Sequence, residues 1–489
     1  MAGEKVLFVL DVEKIQDYIF STNKLKTIIG ASRLLDELNA SPKGNTIKFL
    51  SDPTYGLVES ASDDVKASPG FILSGGGNTK VIFESHDGKT SLDLAMDFEA
   101  RITAEYLKYG ISVVTHIEPL SPEDKTGKTT LEKAEKAVPL KKYEKSYCEA
   151  LAASPYFKLC ETCGKDYGEH IYPLEADKHI VCQACKEKFD YCSSDFRLLP
   201  GFGFQTDVEK MHLPNRMIAI VLMDGNNMAT KIKALSSLED LKNFSQKTEE
   251  INSDSFKQAI ESCFGNGSGN PAPRQLDSIR PIIMGGDDIC FIISANKAIP
   301  FVQHLTKLIN DKSIGRQDLF GATGITLSCG ILFAHANFPF NFGYRIADSL
   351  LRSAKRFSRK NRDCSAIDFH VLLSSAGDEI EVTRLREYTY EPDVVLTRKP
   401  YKHDDIIGLL YDTDKMKKAI AASKLKGLRQ ILRLGVEKSM TELSRMLSRL
   451  PVDKRNAFME VLNKHGWKRG DDYKWRTSLL DMVEICDFV

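Results

Sequence analysis

The chain has 489 residues, with 67 Lys+Arg against 67 Asp+Glu and so a formal charge of zero. At roughly 100–200 residues per domain, that length predicts about three domains. The composition, 42% hydrophobic and 27% charged, excludes a disordered or fibrous chain. No run approaches the roughly 18 apolar residues of a membrane span, and Val6–Leu10 is too short for a signal-peptide core. A cytoplasmic protein without a membrane partner is expected.

In chain order, the predicted elements form a weak internal duplication. The first copy opens with a strand, Lys5–Leu10, ending at Asp11. A hairpin follows: Phe71–Leu73, a turn at Ser74-Gly75-Gly76-Gly77-Asn78, then Val81–Phe83. A helix over about Ser91–Lys108 and a strand, Ile111–Ile117, complete it. The second copy opens with Met217–Met223, ending at Asp224. Its hairpin runs Pro281–Met284, Gly285-Gly286-Asp287-Asp288, Ile289–Ile293, followed by a helix over about Ala298–Asn310 and the strand Ile325–Phe333. The strand-end Asp precedes the first compared glycine by 64 positions in one copy (11 to 75) and 61 in the other (224 to 285). This order predicts an α+β protein with mixed sheets and helices on one face.

Glu123–Lys145, between the copies, reads as a charged linker. Thr126-Gly127-Lys128-Thr129 ends like a P-loop, but Pro122 stands where the first glycine is required. Cys160-x2-Cys163 and Cys182-x2-Cys185, 18 residues apart, have the spacing of a closed four-thiolate zinc site. Its expected role is to staple an insert that has little core of its own. Beyond about Glu379, apolar residues recur at helical spacing. Lys415–Gly470 carries 15 Lys+Arg against 4 Asp+Glu, a balance of +11. That surface reads equally well as a docking face for RNA or an acidic partner and as solvated helix.

Asp224 ends a buried strand, and Asp287 and Asp288 sit at the hairpin tip of the same sheet. Three carboxylates are expected to converge there with no basic residue between them. Mg²⁺ prefers such hard oxygen ligands together with substrate phosphates, and a pair of ions can stabilise both oxygens of a phosphoryl displacement. Gly285 and Gly286 would let a triphosphate approach the backbone.

Ile282–Asp288 together with Met223-Asp224-Gly225-Asn226-Asn227-Met228 resembles the second palm domain of the Cas10/Cmr2 family, the large subunits of type III CRISPR effector complexes. Lys14–Phe20 and Gly30–Leu35 resemble that family's first, degenerate palm. Ser328-Cys329-Gly330 and Ala347-Asp348 through Ala354-Lys355 are similar to the closing strand and helix of GGDEF-type cyclases. The resemblance covers most of residues 1–373. It implies two ferredoxin-like palms (1–120 and 211–375), a linker with a zinc-ribbon-like insert (121–210) and a C-terminal helical domain (376–489).

The implied activity is nucleotidyl transfer from ATP to a cyclic oligoadenylate, with guide RNA, target RNA and other Cas subunits as partners. Asp224, Asp287 and Asp288 are the implied catalytic residues and ligands of two Mg²⁺ or Mn²⁺ ions. Gly225, Asn226, Gly285, Gly286 and Lys355 are implied nucleotide contacts, and Gly75, Gly76, Gly77 and Asn78 form the acceptor side. Many relatives have Asp where this chain has Asn226. No N-terminal HD nuclease is expected, and hence no cleavage of single-stranded DNA. The rival readings are transfer of the same ATP donor to another nucleotide or an adenosine-containing metabolite, a diguanylate cyclase, and a catalytically silent scaffold for guide RNA and partner subunits.

Overall fold

The computed structural model describes residues 5–39, 44–60, 63–144, 158–174, 177–264, 274–372 and 380–489. The first sheet combines an opening strand (Lys5–Val12), a hairpin (Phe71–Gly75 and Asn78–Glu84) and a closing strand (Val113–Pro119). In space, the outer hairpin strand comes first, followed by the inner one, the opening strand and the closing strand, all antiparallel.

The second sheet repeats this order with Ile279–Gly285, Asp288–Ser294, Met217–Gly225 and Leu327–His335. It then adds Ala366–Val371 in parallel and Tyr401–Lys402 antiparallel. The duplication reaches residue-level detail. Gly75 pairs with Asn78 as Gly285 pairs with Asp288, and each outer strand has a register shift, at Phe71/Leu73 and at Pro281/Ile283.

Helices cover both faces of each sheet, not one face as expected. Side chains alternate along a strand, yet in Lys5–Val12 both alternating sets are apolar. Val6, Phe8 and Leu10 share a core with Phe98 and Ile102 of the helix Ser91–Lys108. Leu7 and Val9 pack with Leu131, Ala134 and Val138. These last three residues lie on a helix, Lys128–Glu144, in the stretch read as a charged linker. Its many charges masked three apolar residues spaced to face the sheet.

The copies are interleaved. Leu238 and Leu241, from the second copy's long helix Leu238–Phe264, complete the first copy's Leu7/Val9 cluster. In the other direction, the first copy's helix Leu25–Asn39 packs on the strand Ile279–Gly285, and Ser32 donates to the Ile282 carbonyl. At the centre the hairpin tips meet: a β-carbon on Gly285 would lie 3.6 Å from Gly76 Cα.

The helix Gln183–Asp190, which carries Cys185, docks on the first copy's helix Leu25–Asn39, and the hairpin His170–Leu174 and Asp177–Val181 packs on that docking helix. Lys188 Nζ donates to the Tyr18 carbonyl at 2.8 Å and to Ser21 Oγ at 3.0 Å. The tail is mainly helical but also holds a small four-stranded sheet, and its core is continuous with that of the second sheet. Part of its positive charge is answered internally, as by Lys464 with Asp412 at 2.6 Å and Arg429 with Glu484 at 3.6 Å. Among the described residues no helix is long and apolar enough to cross a membrane.

The closing helix Phe340–Lys360 lies directly on Gly330 of the closing strand. A β-carbon there would sit 2.4 Å from the Ala347 carbonyl oxygen and 2.5 Å from the Leu351 nitrogen. Gly330→Ala must push that helix outward, and overpacking of this kind costs roughly 1–3 kcal/mol. The expected outcome is a lower urea midpoint at unchanged slope.

Candidate active site

Strand register determines which carboxyl groups meet. Ile289 lies opposite Met223, so one further step along the antiparallel pair brings Asp288 beside Asp224. The hairpin turn just before Asp288 has positive φ at Gly286 (60°) but not at Asp287. This is the pattern of a II′ turn, which needs glycine first and accepts a side chain second. At the first copy's tip both Gly76 (58°) and Gly77 (82°) have positive φ, as in a I′ turn. The acidic tip therefore exists in only one copy.

Asp224 and Asp288 are in hydrogen-bonding contact. The Asp288 carboxyl is pushed up to about 8 by burial first and then by the charges of Asp224 and Asp287. By surface area Asp288 is open, but it faces a concave cavity whose walls exclude much of the bulk water. Asp287 is raised to about 6, again by burial and then by Asp224. It lies to one side: its Cβ is 3.1 Å from where a β-carbon on Gly225 would be.

The three aspartates do not bring three ligand oxygens within 4.8 Å of one another; among the described residues only the four cysteines form such a group. Register therefore gathers a pair, with the third carboxylate close enough to repel it.

A basic residue does enter the cluster, contrary to the sequence expectation. Lys355, from the closing helix, forms an ion pair with Asp224. Periodicity explains its position: Asp348, Arg352 and Lys355 share one helix face, and the bare Gly330 backbone lets that helix come close. One ammonium against three carboxylates leaves excess negative charge, and Lys355 ranks behind burial and Asp224 in its effect on both Asp287 and Asp288.

These groups open onto a cavity of about 790 Å³ between the two copies. Asp224, Asp288, Lys355 and Gly285 line it from one side and Gly76 and Gly77 from the other. Gly225, Asn226, Gly286, Asp287, Gly75 and Asn78 are not part of its wall. Asn226 is 6% exposed and fully engaged elsewhere. Its Nδ2 donates to Thr326 Oγ1 (3.1 Å) and the Cys364 carbonyl (3.3 Å), while Oδ1 accepts from Ser328 Oγ (2.7 Å).

Sequence reasoning missed several wall residues. Asp348 and Arg352, paired at 2.5 Å, could have been found from their helical spacing to Lys355. Arg280 and the segment Asp195–Phe202 carried no pattern that would have flagged them.

The donor set fits a hard divalent cation, since two oxygen ligands repel each other in a desolvated site. The cysteine cluster also fits a metal. A thiolate at Cys163 is favoured by thiol hydrogen bonds from Cys182 and Cys185, and its charge helps push Cys182 up to about 12. Four thiolates can coexist there only around a cation. Cys148 lies outside the described residues.

Two outcomes follow from this geometry. Asn226→Asp would set a carboxylate against the Cys364 carbonyl and remove two donated hydrogen bonds, at a cost of roughly 1–3 kcal/mol in a urea titration. For Asp288, the folded protein holds its proton between about pH 4, where an ordinary carboxyl ionises, and about pH 8. Over that window the unfolded chain binds fewer protons, so metal-free stability falls as pH rises. Asp288→Asn should flatten the fall, as read by melting temperature against pH.

Residues 217–364 match the family model described as Cas10/Cmr2, second palm domain. No curated protein sequence matches the chain. Similar solved structures include a Csm1–Csm4 cassette in complex with cA4 (TM-score 0.58, 14% identity, covering 100% of this chain and 70% of that one). The cassette with AMPPNP gives 0.58, 14%, 100% and 69%, and that with pppApA gives 0.57, 12%, 100% and 69%. At such identities these likenesses speak for the fold alone. The likeness shown by sequence is thus to the Cas10/Cmr2 second palm domain, over residues 217–364.

Proposed function

We propose that the protein is a nucleotidyltransferase that builds a signalling nucleotide of the cyclic oligoadenylate type from ATP, working as the large subunit of a type III effector complex. The observation that carries this reading is the contact of Asp224 and Asp288 at the wall of a cavity shared by two copies of one fold. Solved structures of similar fold carry cA4, AMPPNP and pppApA, the kinds of ligand such a reaction would use, make or pass through. Their cassette partner suggests a Csm4-like neighbour, with guide and target RNA as further partners.

Asp224 and Asp288 are the residues that would hold Mg²⁺ or Mn²⁺, with Asp287 adding negative charge behind them. Bound there, the ions would activate the attacking hydroxyl and screen the departing pyrophosphate. Gly285 and Gly76 present bare backbone to the cavity, so a nucleotide can approach both tips. Lys355, once released from Asp224 by competing cations, can reach the polyphosphate as a point charge. In the reaction the acceptor's 3′-oxygen bonds the donor α-phosphorus, the bond to the β-phosphate oxygen breaks, and the hydroxyl proton leaves to water. The four cysteines would hold a structural zinc ion.

A second reading keeps the ATP donor and changes the acceptor. It is favoured by the first copy's tip, where Gly76 and Gly77 offer no carboxylate and so leave the acceptor's identity loosely specified. Product masses separate the two.

The test is incubation with ATP and Mg²⁺ or Mn²⁺, with and without guide and target RNA, and identification of products by mass. Asp224→Ala and Asp288→Ala are each expected to lower product at least about a hundredfold, the scale of losing one electrostatic stabiliser. Undiminished product would refute the site, and wild-type protein that makes none under any condition would favour the scaffold.

A further inference from the structure

The far wall of the cavity holds a cation that the transfer reaction as drawn leaves unused. Arg280 lies near the start of the strand Ile279–Gly285 and lines the cavity. It pairs across the hairpin with Ile292. Residues 288, 290 and 292 share one strand face, so Arg280 lies on the same sheet face as Asp288, about 13 Å along the strand.

The side chain is 2% exposed. Nη1 donates to the Ser194 carbonyl at 3.2 Å, and the guanidinium sits over Phe204, 5.7 Å from the ring centroid. Its Nε is buried with no partner, and among the described residues no carboxylate forms an ion pair with it. Arg33, from the first copy's helix, lies close enough to oppose its charge, while Asp195 and Cys192 act the other way. The only ion pair of Arg33 among the described residues is a 3.9 Å contact with Glu37 one turn along its own helix. Arg197, by contrast, is taken up by Asp36 at 2.6 Å and Glu249 at 3.1 Å.

Arg280 and Arg33, one from each copy, both line the cavity, and Asp36, Glu37 and Asp195 line it as well. A buried guanidinium with an unused N–H and no counter-charge is costly by itself. Phosphate is the ligand whose geometry a guanidinium fork matches best.

We propose that Arg280, with Arg33, forms an anion-binding end of the cavity that holds the phosphates of the second, acceptor nucleotide. This assignment rests on the transfer reading above. In each linear transfer step the acceptor contributes only its 3′-hydroxyl, so its own phosphates stay intact until the ring closes. They must be held away from Asp224 and Asp288, whose charge repels them and whose cations serve the donor. Arg280, on the same sheet face, a nucleotide's reach away and without an ion pair among the described residues, meets that requirement.

The probe is inorganic tripolyphosphate, titrated into the full chain without added Mg²⁺ or Mn²⁺ and followed by calorimetry and by the rise in melting temperature. Wild type should bind it, Asp288→Asn should bind at least as well, and Arg280→Met should bind at least tenfold more weakly. If Arg280→Met fails to fold, Arg280→Lys, which keeps the charge and loses the planar fork, should still show weakened binding.

Unchanged tripolyphosphate binding in the Arg280 variant would overturn the assignment. So would a loss of adenosine binding with tripolyphosphate binding intact, which would make Arg280 a base contact. A variant whose melting temperature drops equally at every tripolyphosphate concentration would reduce Arg280 to a structural pin. Arg280-dependent anion binding in a wild-type protein that makes no product from ATP would support the anion site while sinking the transfer reading.

Discussion

The antiparallel register between Met217–Gly225 and Asp288–Ser294 holds the Asp224 and Asp288 carboxyl groups together at a sheet end, where burial makes their joint ionisation unfavourable. Much of the surrounding structure bears on that contact. The II′-like turn brings Asp288 to the cavity and sets Asp287 behind it. Gly330 lets the closing helix come near enough for Lys355 to answer one of the charges. A single ammonium leaves negative charge over, and a divalent ion is the species that hard, mutually repelling oxygen ligands accept most readily.

The duplication explains why the cavity has two unlike ends. Each copy sends its first long helix onto the other, through Leu238 and Leu241 in one direction and Ser32 in the other. The glycine tips touch at the centre, so both copies line a single space. Only the second tip has carboxylates, and the walls differ in charge accordingly. The first copy retains a partial echo of the arrangement, in that Asp11 lies opposite Asn78 and pairs with Lys142 of the helix over its sheet. The pattern is that of one structural unit used twice, with carboxylates at the tip of only one.

The sequence revealed what local pattern encodes. The strand-ending aspartates, the two hairpins, the helix Ser91–Lys108 and the two Cys-x2-Cys pairs were all legible, because alternation, turn chemistry and ligand spacing are properties of short segments. Features that depend on distant segments packing together were not. The helix Lys128–Glu144 was hidden by its charge, although Leu131, Ala134 and Val138 face the sheet. Asn226 looked like part of the site from its place two residues after Asp224, but it lies past the strand's last residue, Gly225, in a turn that directs it toward Thr326, Ser328 and Cys364. Lys355 was named as a phosphate contact, whereas its partner in this structure is Asp224. Arg280 gave no signal, since a lone arginine in an apolar strand becomes informative only once its surroundings are known.

Chemistry at this site depends on the acidic pair binding metal in preference to lysine. Anomalous diffraction from crystals grown with Mn²⁺ and a non-hydrolysable ATP analogue tests this directly. The expected result is manganese peaks on the Asp224 and Asp288 carboxylates, with Lys355 drawn off Asp224 toward the phosphates. Lys355 still seated on Asp224, with the analogue bound elsewhere or absent and no peak at either carboxylate, would contradict it.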